Sequence, residues 1–377
     1  MKKVILLHIV IFLMVSVFIP TKGSAFSNVS AETAILMDVE SGRVLYEKAA
    51  HKKMRIASIT KIMTAILAIE SGKLDETVKV SDKAVRAEGS SIYLKPGEKI
   101  KLEHLVYGLM LRSGNDSAVA IAEHVGGSVE GFVYLMNQKA QEIGMRDTVF
   151  SNPHGLDDHE NHFSTAYDMA ILTKYAMENE TYREISGTKV HKAPEWDRSW
   201  KNKNKLLTSL YEYSTGGKTG FTKRAKRTLV STAAKDGHDL IAVTLNGPND
   251  WNDHISMFEW GFARYDLEYV VKKGIVHSVK DDFYKGKVVV RRDFQYPVTD
   301  KEKDNLKVEV KLIKPDSNWK KGKDIPAPCG KMIIKLEDKT IGELPIYFDK
   351  RGKVSLETWF SSIKEMFLSM IGVHSHG

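Results

Sequence analysis

The chain has 377 residues, 42% of them hydrophobic, which is enough to bury one large core and a second, smaller one. Its formal net charge of +8 comes from lysines and arginines scattered along the sequence rather than gathered in an aromatic-studded stripe, so no nucleic-acid partner is expected. Cys329 is the only cysteine, which excludes an intramolecular disulfide.

Residues 1–25 have the pattern of a secretory signal peptide. Lys2 and Lys3 precede a mostly apolar run at 4–19, and small residues at 23–25 are typical of a cleavage site after Ala25. The alternative is a retained membrane anchor, but the apolar run is short for a membrane span. We therefore expect an exported protein.

Alternating residues at 33–39, a turn at 40–42 and a run at 43–46 predict a β-hairpin at the start of the mature chain. A second antiparallel pair is predicted far along the sequence, at 228–233 and 240–245. The predicted helices lie at residues 58–69, 102–111, 117–125, 129–143, 166–177 and 251–265. An antiparallel sheet built from both ends of this region, with a helical insert between them, is the implied α+β architecture.

From about residue 270 the sequence changes to short β-type runs separated by charged turns. These runs lie at 287–291, 306–312, 332–336 and 344–348, and they predict a small all-β domain. We find no catalytic constellation in it and interpret it as a spacer or a protein-contact module.

The last segment, residues 354–371, carries apolar side chains at helical spacing with polar residues on the other side. A helix placed after a complete β-domain either packs on that domain or lies in a membrane interface. Trp359, Phe360 and Phe367 are on the apolar face, which favours an amphipathic helix that anchors the protein to a membrane surface.

Three short motifs follow one another along the chain: Ser58-Ile-Thr-Lys61, Ser113-Gly-Asn115 and Lys218-Thr-Gly220. A Ser-x-x-Lys sequence says little alone, since others begin at residues 186, 317 and 361. Only the first is followed, at domain-scale spacings, by the chain's single Ser-x-Asn and its single Lys-Thr-Gly. This order indicates an active-site serine whose base is a lysine.

Ser58 lies where a polar loop gives way to an apolar helix, so its backbone N–H is among the unpaired donors of the helix N-terminus. Lys61 is one turn further on, on the same face. It can act as a base only when neutral, and a pKa near 7 requires roughly 4 to 5 kcal/mol of preference for the neutral form. Burial and a second cation, for which Lys218 is the obvious candidate, could supply that preference. Taken singly, the two residues could also be an N-cap serine and a solvated lysine.

The other two motifs suit the two sides of a cleft. Ser113-Gly-Asn115 falls between two predicted helices, where glycine permits a tight turn, although alone it would indicate an ordinary interhelical turn. Lys218-Thr219-Gly220 follows two glycines and suits an edge strand that pairs with an extended ligand. A cation and a hydroxyl on that strand could bind a terminal carboxylate. The alternative is a glycine-rich loop with a surface lysine.

The three motifs and the sequence around them resemble the low-molecular-mass penicillin-binding proteins, which are serine-type D-alanyl-D-alanine carboxypeptidases. The similar blocks lie at 55–64, 109–117, 152–156, 164–170 and 217–221. With the β-domain and the terminal helix, the resemblance covers essentially the whole mature chain. The Lys/Arg-rich sequence at 225–228, where many members have a small Ala-Gly pair, and the segment 156–162 resemble the spore-cortex branch of endospore-forming Gram-positive bacteria.

The resemblance implies the penicillin-binding-protein/β-lactamase-like transpeptidase fold and a role for each motif. Ser58 would be the acylated nucleophile and Lys61 the base that takes its proton. Ser113 would pass protons to the leaving group. The backbone N–H groups of Ser58 and Phe221 would form the oxyanion hole.

The implied substrate is a peptidoglycan stem peptide that ends in D-alanyl-D-alanine and loses its terminal D-alanine. Asn115 would bind the substrate amide, and Lys218, Thr219 and Gly220 would bind the terminal carboxylate. β-Lactam antibiotics would acylate the same serine. The resemblance implies no metal and no organic cofactor.

These expectations divide the chain into four parts: a signal peptide at 1–25, a catalytic domain at 26–268, an all-β domain at 269–350 and a membrane-associating helix at 351–377. The implied location is the outer face of the cytoplasmic membrane or the cell wall. For the spore-cortex branch it is the spore intermembrane space.

Parts of the sequence are compatible with three other functions. His154, His159, Glu160 and His162 could indicate a metal site, but their segment has the pattern of a loop rather than a helix. A class A-like β-lactamase would share the three motifs, but the chain has no Glu-x-x-Leu-Asn segment to supply a deacylating glutamate. A catalytically silent wall-binding protein is disfavoured by the intact serine and lysine of the first motif.

Overall fold

The structure is a computed structural model that describes residues 29–192, 199–316, 319 and 325–349. It divides into two compact units, Met1–Asp266 and Leu267–Gly377. The predicted signal peptide and the predicted C-terminal helix lie outside the described residues. Within the described ranges, no helix is both long enough and apolar enough to cross a membrane.

The first unit is organised around an antiparallel sheet. Its strands are β1 (Thr33–Asp38), β2 (Val44–Lys48), β3 (Thr77–Lys79), β4 (Lys99–Lys101), β5 (Val190–Lys192), β6 (Ser199–Lys201), β7 (Ser214–Thr222), β8 (Lys226–Lys235) and β9 (His238–Leu245). Five of them form the main sheet in the order β2-β1-β9-β8-β7, and β3–β4 and β5–β6 are separate pairs. Because β1 pairs with β9, the two ends of the unit meet in one sheet, which confirms the predicted architecture.

Eight helices of the described part of this unit surround the sheet. They are α1 (Lys61–Glu70), α2 (Asp82–Val85), α3 (Leu102–Tyr107), α4 (Asn115–Gly126), α5 (Val129–Glu142), α6 (Ala166–Met177), α7 (Glu180–Gly187) and α8 (Asp250–Arg264). The prediction was wrong in two details. The helix expected from residue 58 begins as a 3-10 turn, Ala57–Thr60, and the helix expected at 102–111 ends in a π-helical turn, Gly108–Arg112.

The alternation of side chains along β1 separates two hydrophobic cores. Ile35 and Met37 pack with the helices of the insert, including α1, whose residues are buried on nearly every side. Ala34 and Leu36 point to the other face and pack with Phe258 of α8. The sheet is therefore covered on both faces, and α1 is held inside the larger core.

The second unit is an all-β structure, as predicted. Its strands are β10 (Asp266–Val271), β11 (Gly274–Ile275), β12 (Val288–Val290), β13 (Phe294–Val298), β14 (Leu306–Leu312), β15 (Gly330–Leu336) and β16 (Lys339–Phe348). They form a sheet in the order β11-β12-β16-β15-β14 and the pair β10–β13. Tyr284, Ile334 and Ile346 are fully buried in its core.

Candidate active site

The serine of the first motif lies in a turn with an unusual backbone. Ser58 is half-buried in the 3-10 turn that leads into α1, and the preceding residue, Ala57, has a φ of +48°. A residue with a Cβ adopts this left-handed conformation only at a cost of about 1 to 3 kcal/mol. Such strain must be held by the surrounding structure, and it is found most often at functional sites.

Lys61 lies beside this serine and is completely buried. Its Nζ atom is 3.0 Å from the Ser58 hydroxyl oxygen, 2.7 Å from the Asn115 side-chain oxygen and 2.6 Å from the His154 carbonyl oxygen. The last two oxygens can only accept hydrogen bonds. A neutral amine has two protons and one lone pair, so its lone pair is left to face the hydroxyl. This arrangement suits proton transfer from the serine to the lysine.

The surroundings of Lys61 favour that neutral form. Burial lowers the pKa of Lys61 well below its ordinary value, and the positive charges of Lys218 and Lys203 lower it further. Asp116 acts in the opposite direction, but its effect is the smallest of the four. Desolvation disfavours the ammonium form because a buried charge loses its hydration, and neutral hydrogen-bond partners replace that hydration only in part.

The second motif begins at the end of the π-helical turn. Ser113 is buried and left-handed, with φ of 66° and ψ of 35°. Asn115 starts α4; its backbone N–H donates to the Ser90 carbonyl at 2.7 Å, and its side-chain nitrogen donates to the Glu88 carbonyl at 2.5 Å. The amide is thereby oriented so that its oxygen points to Lys61.

The third motif lies on β7, the edge strand of the main sheet. Lys218 is buried, and its Nζ atom is 3.1 Å from the Ser113 hydroxyl oxygen and 2.8 Å from the Thr219 carbonyl oxygen. A Cβ added at Gly220 would overlap the Thr228 hydroxyl and lie 3.0 Å from the Ser58 backbone nitrogen. The strand can approach the nucleophile this closely only because residue 220 is glycine.

A further cation, Lys203, lies at the rim of this site and was not singled out from the sequence. Its Nζ atom is 3.4 Å from the Ser90 hydroxyl oxygen. Partial desolvation and the charge of Arg112 lower the pKa of Lys203, and Lys203 in turn lowers the pKa of Lys218. The only signal for it in the sequence is the alternation of lysine and asparagine at 201–205, which alone would indicate a solvated loop.

The structure thus brings five of the predicted side chains together in two hydrogen-bonded groups, one centred on Lys61 and one formed by Lys218 with Ser113. The five are Ser58, Lys61, Asn115, Ser113 and Lys218. Thr219 and Gly220 lie beside them on the edge strand, and the Phe221 side chain is 64% exposed. The roles of these groups, including the oxyanion hole at the Ser58 and Phe221 backbone, stay predictions.

The segment 154–162, the alternative metal site, is held by other interactions. His154 and His162 are buried, whereas Glu160 pairs with the guanidinium groups of Arg55 and Arg224. Across the part of the chain that the structure describes, no three His, Cys, Asp or Glu side chains are grouped so that they could hold a metal ion.

Comparisons with known proteins agree with this geometry. Residues 20–249 match the family Peptidase_S11, D-alanyl-D-alanine carboxypeptidase, and residues 265–353 match the C-terminal domain of penicillin-binding protein 5. The chain is 32% identical to the Bacillus subtilis (strain 168) D-alanyl-D-alanine carboxypeptidase DacF over 84% of each chain. It is 35% identical to the Escherichia coli (strain K12) D-alanyl-D-alanine carboxypeptidase DacC over 68% of each.

Solved structures are similar over most of the described fold. Penicillin-binding protein 5 from Haemophilus influenzae superposes with a TM-score of 0.69 at 26% identity and covers 87% of this chain and 98% of its own. A D-alanyl-D-alanine carboxypeptidase from Mycobacterium tuberculosis H37Rv superposes with a TM-score of 0.61 at 31% identity, covering 65% and 95%.

Proposed function

Because the chain belongs to the D-alanyl-D-alanine carboxypeptidase family of serine peptidases, we propose that it removes the terminal D-alanine from peptidoglycan stem pentapeptides through an acyl-enzyme on Ser58. One observation carries the assignment of the nucleophile. The buried amine of Lys61 has two partners that can only accept, so its remaining lone pair faces the Ser58 hydroxyl. A serine with a neutral lysine as its base is the chemistry of acyl transfer.

In the acylation step, neutral Lys61 takes the proton of Ser58 while the serine oxygen attacks the carbonyl carbon of the penultimate D-alanine. The oxygen of that carbonyl becomes negative and is stabilised by the backbone N–H groups of Ser58 and Phe221. The bond to the terminal D-alanine breaks. Its nitrogen receives the proton that Lys61 took from Ser58, relayed by the Ser113 hydroxyl. Water then hydrolyses the ester on Ser58 and restores both groups.

The third motif provides the binding site for the carboxylate of the terminal D-alanine, the group that a carboxypeptidase must recognise. Lys218 and Thr219 lie next to each other on the edge strand, where an extended peptide can add its backbone to the sheet. Burial and Lys203 lower the pKa of Lys218 to about 7. An incoming carboxylate raises that pKa, because it favours the charged ammonium form. Asn115 binds the substrate amide with the side-chain amide that also contacts Lys61.

The same site accepts β-lactam antibiotics, as the family does, because their strained amide is attacked by the same serine. The substrate and the similarity to the spore-cortex branch support a role in maturing the cell wall and the spore cortex. We also propose that the chain is divided into its four parts after residues 25, 268 and 350. The protein would be exported, and a member of the spore-cortex branch would act in the spore intermembrane space. The amphipathic sequence at 351–377 would hold the enzyme at a membrane surface.

The decisive experiment is incubation of the protein with a stem pentapeptide and measurement of released D-alanine. The wild type should release it, and Ser58→Ala should not. Ser186→Ala is the matched control, because Ser186 begins another Ser-x-x-Lys sequence in the same unit and should be dispensable. Mass spectrometry after exposure to penicillin should place the adduct on Ser58. No release by the wild type, or fast turnover of penicillin instead of a long-lived adduct, would contradict the proposal.

A further inference from the structure

The loop at 150–164 packs against the turn that carries the nucleophile and against the start of α1. The Pro153 carbonyl oxygen accepts a hydrogen bond from the Thr64 hydroxyl at 2.6 Å, and the next carbonyl, of His154, accepts the one from Lys61. The backbone of Ser164 exchanges two hydrogen bonds with Met54, at 2.8 and 3.0 Å. The loop is therefore fixed at several points to the chain on both sides of Ser58.

The partners of the His162 ring determine which of its two nitrogen atoms donates a hydrogen bond. His162 is 2% exposed, and its Nδ1 atom lies 3.0 Å from the backbone nitrogen of Ser151, which can only donate. Nδ1 must therefore carry the lone pair, and in the neutral ring the proton is on Nε2. That atom is 2.9 Å from the Thr60 hydroxyl oxygen, so His162 donates to Thr60.

The hydrogen bonds of Thr60 lead to the same donor and acceptor roles. The Thr60 hydroxyl is 2.8 Å from the carbonyl oxygen of Ala57 and can only donate to it. Its single proton is then used, so it must accept from His162. The sequence of donors runs from the Ser151 N–H through His162 and Thr60 to the Ala57 carbonyl, with each group in one role.

A protonated ring would break this chain. Its Nδ1–H would face the Ser151 N–H, and two donors would meet in a buried site. The surroundings keep the ring neutral: burial lowers the pKa of His162 to about 4, with Arg55 contributing in the same direction. His162 therefore stays a donor to Thr60 throughout the neutral pH range.

The acceptor at the end of the chain is the strained residue before the nucleophile. Ala57 is left-handed, which is unfavourable for a residue with a Cβ. Its carbonyl group is held by the Thr60 hydroxyl and packs closely on Gly155, where an added Cβ would overlap it. The neighbouring Ile56 carbonyl is held by Thr228 at 2.9 Å.

We propose that His162 is a positioning residue for Ser58: it orients the Thr60 hydroxyl, which fixes the carbonyl of Ala57 and with it the left-handed turn that presents the serine to Lys61. The inference rests on the proposed function, because it assigns His162 to the acylation of that serine. His162 touches neither the substrate nor the reacting atoms. Its effect is on the geometry of attack, and displacement by about 1 Å can reduce such a step by about 100-fold.

The chain offers two matched pairs of variants that test this directly. His162→Asn keeps an acceptor at the Nδ1 position but removes the donor to Thr60, whereas His162→Gln keeps an N–H near the Nε2 position. Thr60→Val removes the hydroxyl at nearly constant volume, whereas Thr60→Ser keeps it. His159→Asn is the control, because His159 is an exposed residue of the same loop.

The measurement is the reaction of a fluorescent penicillin with the full-length protein under single-turnover conditions. It separates the affinity of the first complex from the rate constant of acylation, and the final amplitude gives the fraction of competent enzyme. We expect His162→Asn and Thr60→Val to lower the acylation rate constant about 10- to 100-fold with little change in affinity. His162→Gln and Thr60→Ser should recover most of the rate, and the double variant should be no slower than either single one.

The outcomes distinguish the inference from the function on which it rests. A general loss of structure would lower the amplitude but not the rate of the remaining enzyme, so it does not imitate the expected result. If His162→Asn does not fold, the Thr60 pair decides the question. If the wild type is acylated on Ser58 and either Thr60→Val or His162→Asn is acylated equally fast per competent molecule, the role of His162 is overturned. The proposed function is then unaffected. Wild-type protein that is not acylated would overturn both.

Discussion

Lys218 on the edge strand donates a hydrogen bond to Ser113 at the far side of the cleft, with 3.1 Å between its Nζ atom and the hydroxyl oxygen. The two residues are 105 positions apart in sequence and both are buried. Because burial and Lys203 lower the pKa of Lys218 to about 7, the group that joins the third motif to the second changes its charge near neutral pH.

This pKa predicts how the stability of the protein depends on alkaline pH. Between pH 7.5 and 9.5 the unfolded Lys218 is protonated and the folded one is mostly neutral, so unfolding takes up a proton and the free energy of unfolding rises with pH. The lowered pKa of Lys61 acts in the same direction. Lys218→Met should reduce the slope by about 1.4 kcal/mol per pH unit.

Urea denaturation at three pH values in this range measures the slope. Lys79→Met is the control, because Lys79 is exposed on β3, and it should leave the slope unchanged. Equal slopes for wild type and Lys218→Met would show that the folded Lys218 keeps its proton.

A second pH effect is expected on the acid side. Burial lowers the pKa of His254 to about 3, and its ring is held between the side chains of Ser231 and Thr244. Below about pH 6.5 the unfolded histidine binds a proton that the folded one refuses, so the free energy of unfolding falls as the pH falls. His254→Gln should flatten this dependence by about 1.4 kcal/mol per pH unit between pH 6 and 4.5.

The variant is needed because other groups titrate in the same range. His154 and His162 have pKa values lowered by burial and act like His254, whereas burial raises the pKa of Asp168 and of Asp250, which oppose them. His51→Gln, at an exposed position, gives the reference slope. If His254→Gln and His51→Gln behave alike, the buried ring is protonated in the folded protein.

Much of the fold could be predicted because its signals are local. The run at 166–177 has helical periodicity, Thr165 caps it by accepting from the Asp168 N–H, and the helix has the predicted bounds. In the strand at 306–312, apolar and charged residues alternate along the sequence, and this strand also has the predicted bounds. The left-handed backbone of Ala57 and of Ser113 could not be predicted, since both are residues with a Cβ and nothing in the local sequence indicates a positive φ there.

The site could be predicted where short motifs exist and not where single residues act at long range. Ser58, Lys61 and Lys218 belong to recognisable short motifs. The resemblance to penicillin-binding proteins places these motifs in one active site. The sequence indicates His162 only as part of a histidine cluster and of the segment 156–162, because nothing near it shows that it bonds Thr60, 102 positions away. Lys203 in its polar run has no pattern that distinguishes it from a solvated lysine.

The contact of Gly155 with the nucleophile turn can be tested with a matched pair of glycines. Gly155 and Gly144 have φ of +88° and +87°, so alanine meets the same backbone strain at both. At Gly144 an added Cβ has open space, whereas at Gly155 it would overlap the Ala57 carbonyl and lie 2.8 Å from the Thr60 hydroxyl. We expect Gly144→Ala to cost about 1 kcal/mol and Gly155→Ala about 2 to 4 kcal/mol.

Thermal denaturation and the rate of acylation by penicillin together decide this prediction. Gly155→Ala should also slow acylation, since the turn must move to make room for the methyl group. Equal effects of the two substitutions on both measurements would show that the loop does not press on the turn.

The last prediction concerns the carboxylate that fixes the start of α4. Asp116 is 1% exposed and accepts hydrogen bonds from the backbone N–H groups of Ile92, Leu94 and Ser117 and from the Ser91 hydroxyl, at 2.6 to 3.1 Å. Asp116→Asn changes only one oxygen into an NH2 group, but that group would face buried donors. We expect it to lower the free energy of unfolding by about 3 kcal/mol.

Glu160→Gln provides the contrast, because it makes the same chemical change at a carboxylate that is 77% exposed and paired with Arg55 and Arg224. Water and salt screen those pairs, so the thermal midpoint should hardly move and should move less at high salt. Asp116 adjoins Asn115, whose side-chain oxygen holds Lys61, so Asp116→Asn should slow acylation as well. A thermal midpoint that falls equally for both variants would mean that burial does not set the strength of these carboxylate contacts.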